Sequence, residues 1–255
     1  MSASASVSTK ELYDAASNDW QRTAPILLSD YTARPFLLEW CAPVDGLDVL
    51  DLGCGEGYFA RQLKQRGAAT LRGIDVSAEM IRAAARREEQ EGLGIEYSTG
   101  NATDLADLQA QSFDLIVAVF LFNYLDLQQT RHTMREVFRL LRPGGRFVFA
   151  VPHPSLPFLC EKTAPFYFDP EGKGYFSGRD SQFEGAIWRR DGKSVPVRSV
   201  HKNLEDYFGA LAAAGFDKMP QLAELHATEA HLELDPAWFG PLRDKPLHLA
   251  FQLVK

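Results

Sequence analysis

The chain alternates between short apolar runs of strand length and longer segments whose apolar residues recur every three or four positions. Residues 11–42 carry a helical pattern that Pro25 and Pro35 divide into pieces. DVLDLG at 48–53 then reads as a buried strand, and 58–65 as a helix stopped by Gly67. TLRGID at 70–75 is a second strand. Residues 78–91 form a helix with Ser77 as N-cap and Gly92 beyond its end. IEYSTG at 95–100 and FDLIVAVF at 113–120 are a third and a fourth strand, the fourth with the unbroken apolar run of a strand buried on both faces. A helix over 128–141 closes at Pro143-Gly144-Gly145, and 146–151 is the fifth strand. This alternation implies right-handed crossovers and an open parallel sheet. Such sheets bind ligands at the carboxyl ends of their strands.

After Val151 the pattern changes. Residues 152–200 are rich in proline (Pro152, Pro154, Pro157, Pro170 and Pro196 among them) and in aromatics such as Phe166, Tyr167, Phe168, Tyr175, Phe176 and Trp188. Alternating segments flank Asp191-Gly192, a sequence suited to a type I′ hairpin turn. Residues 204–214 return to a helix, N-capped by Asn203 and ended by Gly215, and strands follow near 217–225 and 246–254. Four segments result: a helical cap over 1–42, a ligand-binding core over 43–151, an insertion over 152–200 and a return to the core over 201–255.

Composition narrows the class. The 255 residues are 45% hydrophobic and 24% charged, enough for one globular domain with an embellishment. The first nine, rich in Ser and Ala, should fray. A net charge of −7 argues against bulk binding to nucleic acid or an anionic membrane. Arg131, Arg135, Arg139 and Arg142 recur on one helical face, which reads as solvated. Cys41, Cys54 and Cys160 are odd in number and lie outside any CxxC pair, so no disulfide scaffold or cysteine zinc site is expected. The first ten residues hold no apolar stretch of signal-peptide length, and the run Leu115 to Phe122 is too short to span a bilayer. A cytoplasmic protein, monomeric or homodimeric, is the expectation.

The chemistry concentrates in VLDLGCGEGYF at 49–59, where a strand meets a helix through Gly53, Gly55 and Gly57. Such a turn brings backbone N–H groups close to a ligand. A dinucleotide loop would carry a small residue where Tyr58 stands, to make room for pyrophosphate. Asp51, just before the loop, would repel phosphate and attract a cation. Asp75 ends the second strand 18 residues after Gly57, where an acceptor for two ribose hydroxyls belongs. A nucleoside with a cationic amino-acid tail, S-adenosylmethionine, satisfies all of these, with S-adenosylhomocysteine as product.

At these residues the chain resembles the class I S-adenosylmethionine-dependent methyltransferases. VLDLGCGEG is similar to their first motif, GIDVS to their second and RLLRPGGRFVF at 139–149 to the approach to their fifth strand. The resemblance implies an α/β, Rossmann-like, seven-stranded and mostly parallel sheet whose last strand is antiparallel. Helices would lie on both faces, with the N-terminal helical cap and the aromatic-rich insertion after strand five as additions. It further implies that Gly53, Cys54, Gly55 and Gly57 line the methionine tail with Asp51, and that Asp75 takes the ribose hydroxyls. Val76 and Met80 would hold adenine, with Asn101 and Ala102 near its amino group. The backbone of Phe120 would meet the methionine ammonium. Asn101 stands where the family has an acid.

VFLFNYL (119–125), VPHP (151–154), VHKNLEDYFGALAAAGF (200–216) and DYTARP (30–35) are similar to a subgroup acting on small molecules, with a His-Pro motif after the fifth strand. That likeness points to His153 and His201 as candidate acid–base residues and to Arg34 as a partner of the methionine carboxylate. Asn123 stands where the subgroup has histidine. His132, His226, His231 and His248 read as ordinary, and no metal is expected from His226 and His231 beside Glu224, Glu229 and Glu233. Tyr13 and Trp20 could close the site from the N-terminal side, and the aromatics of the insertion could form either its own core or a lid.

The expected reaction is in-line transfer of the methyl group to an O, N or C atom of a small-molecule acceptor. RNA or protein methylation and non-catalytic cofactor binding stay open as alternatives. Against the first stand the acidic balance and the sequence Phe120-Leu121-Phe122-Asn123, where many nucleic-acid amino methyltransferases carry Asn/Asp-Pro-Pro-Tyr.

Overall fold

The computed structural model describes residues 8–255. Most of the N-terminal stretch expected to fray therefore lies outside the described residues. Helices α1 (Thr9–Trp20), α2 (Leu28–Thr32) and α3 (Arg34–Cys41) precede β1 (Asp48–Leu52). Then come α4 (Tyr58–Gln65), β2 (Thr70–Asp75), α5 (Ala78–Glu91), β3 (Ile95–Thr99), β4 (Phe113–Val119), α6 (Leu127–Leu140) and β5 (Leu141–Pro152). The second half holds α7 (Leu156–Leu159), β6 (Phe166–Asp169), β7 (Gln182–Trp188), β8 (Ser194–Val200) and α8 (Leu204–Ala214). It ends with β9 (Gln221–Leu225), α9 (Glu229–Leu234), α10 (Pro236–Phe239) and β10 (His248–Val254).

Among the described residues the main sheet has seven strands in the order β3-β2-β1-β4-β5-β10-β9. The pairs from β3 to β5 are parallel, and β10 runs antiparallel to both β5 and β9. The chain therefore leaves β1 in one direction toward β3 and returns on the other side at β4. This reversal opens a crevice at the carboxyl ends of β1 and β4. Alternation along the strands sorts the core. Leu50, Leu52, Ile116, Phe147, Phe149 and Phe251 face a layer closed by Val137 of α6 and Leu211 of α8. Val49, Val117, Val148 and Ala250 face the other, closed by Leu37 of α3 and Leu63 of α4. With a side-chain period of two, Asp51 and His248 fall on this second face.

Local signals explain several boundaries. The Ser77 hydroxyl accepts from Met80 N at 3.2 Å, and Gly92 takes φ +61° past the end of α5. Three expectations are corrected. Pro143-Gly144-Gly145 does not separate α6 from β5; the strand starts at Leu141, and these residues form an irregularity in its register with β4. Arg142 therefore leaves the basic helical face and pairs with Asp48 at 2.8 Å and Asp114 at 2.6 Å. Residues 189–193 connect β7 and β8 with a positive φ only at Gly192, whereas a type I′ turn needs one at both central residues. The helices α9 and α10 fill the gap between the last two strands, where no element was expected.

The insertion builds an antiparallel sheet of its own, ordered β6-β7-β8. Phe166 pairs in register with Ile187 and Phe168 with Gly185. Val195 and Val197 continue these rows on β8. These apolar residues pack with Leu28 of α2 and with Leu232, Phe239 and Leu247 near the C-terminus.

Candidate active site

A cavity of about 420 Å³ opens at the carboxyl ends of β1, β2 and β4, within the range of small-molecule sites. The first wall is the loop after β1. Gly53, Gly55 and Gly57 all have positive φ. At Gly55 a Cβ would meet nothing within 4 Å, so the glycine leaves a hollow facing the cavity. Gly57 plays a different part. A Cβ there would sit 2.3 Å from the Tyr97 hydroxyl, so this glycine lets α4 and the β3 side chain approach and does not line the cavity.

Asp75 holds the loop in shape. Its carboxylate accepts from Gly55 N at 2.8 Å and from Ser77 N at 2.9 Å. Each oxygen keeps lone pairs for further donors. Burial pushes the carboxyl above its usual value, and the backbone donors pull it back. Asp51 lies deeper. Its Oδ2 is buried with no hydrogen-bond partner among the described residues. Burial, with Asp75 nearby, pushes its carboxyl up to about 7, against the pull of Arg34.

The N-terminal cap closes one side through Tyr13, Trp20, Ser29 and Arg34. Arg34 donates to Asp30 Oδ1 at 3.0 Å and to the Ser29 hydroxyl, while its Nε is buried without a partner among the described residues. Asp30 is also gripped by Arg22, which reaches Glu56 of the glycine loop at 3.3 Å. Breaking such buried pairs typically costs 3–5 kcal/mol. Above them, the Tyr13 hydroxyl donates to that of Tyr124.

Val76, Met80, Asn101 and Ala102 line the end beside Asp75, and Asn101 Oδ1 accepts from Thr103 N at 3.0 Å. Cys54 also lines the cavity, with its thiol pushed well above the usual value by burial. Phe120, just past β4, takes φ +62°. Its ring lies 5.6 Å from the Arg34 guanidinium carbon. The opposite end is apolar: Pro152, Phe166, Phe168, Ile187 and Val197 form its wall. The insertion's aromatics thus build a small core, and two of them, Phe166 and Phe168, also line the cavity.

Of the residues singled out in the sequence, Arg34, Asp51, Gly53, Cys54, Gly55, Asp75, Val76, Met80, Asn101, Ala102 and Phe120 line this cavity. The two histidines do not. His153 is buried, with Nδ1 accepting from Ser155 N at 3.1 Å and Nε2 on Glu224 at 2.9 Å. These bonds clamp the exit of β5 to β9. His201 stacks on Phe183 with ring centroids 5.3 Å apart and donates from Nε2 to Tyr175 O at 2.8 Å. The histidine that does line the cavity is His248, read from the sequence as ordinary. Nothing local signals it, because its neighbours are brought by other elements.

The residues fit S-adenosylmethionine. The hollow at Gly55, the lone pairs Asp75 keeps and the unpartnered Asp51 Oδ2 and Arg34 Nε are groups that a nucleoside with a zwitterionic tail could use.

Comparison with known proteins agrees. A family model described as a methyltransferase domain matches residues 49–145. A solved S-adenosylmethionine dependent methyltransferase from Mesorhizobium loti is 25% identical, with a TM-score of 0.66 over 87% of this chain and 96% of that one. The ubiquinone biosynthesis O-methyltransferase of Pseudomonas fluorescens strain SBW25 is 26% identical over 141 residues, which are 54% of this chain and 60% of that protein. A geranyl diphosphate methyltransferase solved with GPP and sinefungin shares the fold, at 19% identity and a TM-score of 0.59 over 87% of this chain and 76% of that one.

Proposed function

We propose, for a chain that belongs to the class I S-adenosylmethionine-dependent methyltransferases, that the acceptor is a small organic molecule methylated inside this cavity. The observation that carries this reading is the two-ended cavity: polar and acidic along the glycine loop, apolar under the small sheet. An acceptor seated under that sheet would meet the methyl donor where both caps exclude water.

When bound, S-adenosylmethionine supplies an activated methyl group, so the protein mainly has to align and desolvate the reactants. Asp75 would hold the ribose hydroxyls. Asp51 would face the tail's ammonium and Arg34 its carboxylate. Val76, Met80, Asn101 and Ala102 would surround adenine. Phe120 turns the backbone at the end of β4, and its carbonyl would meet the tail's ammonium. The apolar end orients the acceptor by shape.

No helix of the described residues is long and apolar enough to cross a membrane. The ubiquinone biosynthesis O-methyltransferase among the similar proteins supports an oxygen atom as the acceptor. Transfer of radiolabelled methyl from S-adenosylmethionine tests the reading against parallel panels of phenols, amines and carboxylic acids, and against RNA and protein. Label in the small-molecule panel is expected. Label confined to RNA or protein would overturn it.

A further inference from the structure

We propose that His248 takes the acceptor's proton during transfer, through Nδ1, and that the acceptor presents an aryl hydroxyl to it. This rests on the methyl-transfer reading above.

The hydrogen-bond partners fix the tautomer. Thr32 Oγ1 donates its one proton to Leu28 O at 3.0 Å. It can therefore only accept from His248 Nε2, 2.9 Å away. Nε2 carries the ring hydrogen, and Nδ1 carries a lone pair. That Nδ1 is buried and has no partner among the described residues. A buried acceptor without a donor is costly unless a ligand completes it.

The place suits the task. β10 runs antiparallel to β5, so its first residue lies at the carboxyl edge, in register with Pro152. The imidazole stands edge-on to Phe120 at 5.0 Å and 6.4 Å from the Phe166 ring. It thus sits between the turn after β4, which serves the tail, and the apolar wall that serves the acceptor. Burial disfavours the protonated ring most, and Arg34 and His153 nearby add to it, lowering the group to about 3. The ring therefore enters the reaction neutral at any ordinary pH.

A neutral ring can still receive the proton because the cavity's charge is conserved. The acceptor oxygen forms its bond to the methyl carbon as the carbon–sulfur bond breaks. The bonding pair stays on sulfur as a thioether, and the hydroxyl proton passes to Nδ1. One positive charge is lost at sulfur and one gained at the ring. An alkyl hydroxyl holds its proton too tightly for this exchange, and an ordinary amine would arrive as a cation beside Arg34. A phenolic hydroxyl, with an acidity near that of tyrosine, fits both the base and the flat apolar walls. The proton leaves to water when the product departs.

The test reads the ring directly and the reaction separately. Nitrogen-15 NMR of the wild-type protein saturated with S-adenosylhomocysteine should show His248 with Nε2–H and unprotonated Nδ1, unchanged from pH 8 to pH 5.5. Phenol should then move the Nδ1 resonance, and Thr32→Val should blur the tautomer. In methyl transfer at pH 7, His248→Phe should lower kcat with phenol by roughly 100-fold or more, the usual scale of a general base. Calorimetric affinity for S-adenosylhomocysteine should stay within about threefold, an allowance below the tenfold that 1.4 kcal/mol represents. With 4-nitrophenol, a far stronger acid that is ionised at pH 8.5, the loss should shrink. An Nδ1–H tautomer, an Nδ1 indifferent to saturating phenol, or equal losses with both phenols would overturn the proposal while leaving methyl transfer intact. A wild-type protein that fails to bind S-adenosylhomocysteine would overturn the earlier reading and this one with it.

Discussion

Asp51 shows how the site trades stability for binding. Its carboxyl is raised to about 7 by burial, above the unfolded value near 3.9. A raised carboxyl favours the folded state fully below the unfolded value, and that advantage is lost as pH climbs through the folded value. The empty protein should therefore lose stability between about pH 4 and pH 7, by roughly 4 kcal/mol if this group acted alone. Asp51→Asn should raise the melting temperature at pH 8 and abolish that slope. The same change should weaken S-adenosylhomocysteine, because a neutral amide cannot balance the ligand's ammonium. In the wild type, affinity should rise with pH through about 7 as Asp51 ionises; calorimetry at several pH values checks both halves. Asp75→Ala should cost about 1.5–3 kcal/mol of binding, the scale of hydrogen bonds to a charged group. Unchanged affinity would remove Asp75 from the site. His153→Ala should behave differently, lowering thermal stability through the lost bonds to Ser155 and Glu224 while cofactor affinity holds. The acids were legible because the glycine loop and the strand ends place them locally. His248 was not, because the partner that fixes its ring, Thr32, is 216 positions away.

Among the elements, α1 carries Tyr13 and Trp20, two rings that line the cavity. Ser8 and Glu11 form a capping box at its start. Asp14 then accepts from the Ser77 hydroxyl at 2.6 Å and from Glu79 N at 3.3 Å, joining α1 to the first turn of α5. Asp14 does not line the cavity, yet Tyr13 and Trp20 beside it do. Asp14→Ala should therefore weaken S-adenosylhomocysteine by about 5- to 30-fold, the equivalent of 1–2 kcal/mol, by loosening the helix that carries those rings. Asp14→Asn, which keeps an acceptor oxygen, should restore most of it. Equal affinities in all three proteins would show that α1 docks without this tie. The helical pattern from residue 11 was legible, but Ser8 and Thr9, expected to fray, instead cap and begin α1 because Ser8 and Glu11 satisfy each other's backbone N–H groups. The docking of α1 was not legible, because Asp14 and Ser77 meet only after the sheet has formed. The same holds for the insertion. Its aromatics were visible, but the face of β6, β7 and β8 that roofs the cavity is set by register, Phe168 lying over Gly185.

At the scale of the whole molecule, the cap and the insertion are stitched into one cover. Arg189, in the turn between β7 and β8, donates to Asp19 O at the end of α1 at 2.7 Å. Arg190 N donates to Ile26 O at 2.9 Å, and the Arg190 guanidinium reaches the Tyr31 hydroxyl at 3.0 Å. Lys193 pairs with the Asp19 carboxylate. The parallel part of the sheet could be anticipated from the alternation of elements, and its seven strands with an antiparallel one followed from the family resemblance; this stitching could not, since it joins segments about 170 positions apart. If the two segments open together, loosening the stitch at one end must loosen the other. Arg189→Ala should then speed hydrogen exchange in both 9–20 and 182–200, with β1, β4 and β5 unaffected. S-adenosylhomocysteine with phenol should slow exchange in both segments in parallel. Faster exchange in 182–200 alone would mean that the cap and the small sheet move as separate flaps. The acceptor could then enter past the sheet while α1 stays closed over the nucleoside, and release of the methylated product would not wait for release of the spent donor.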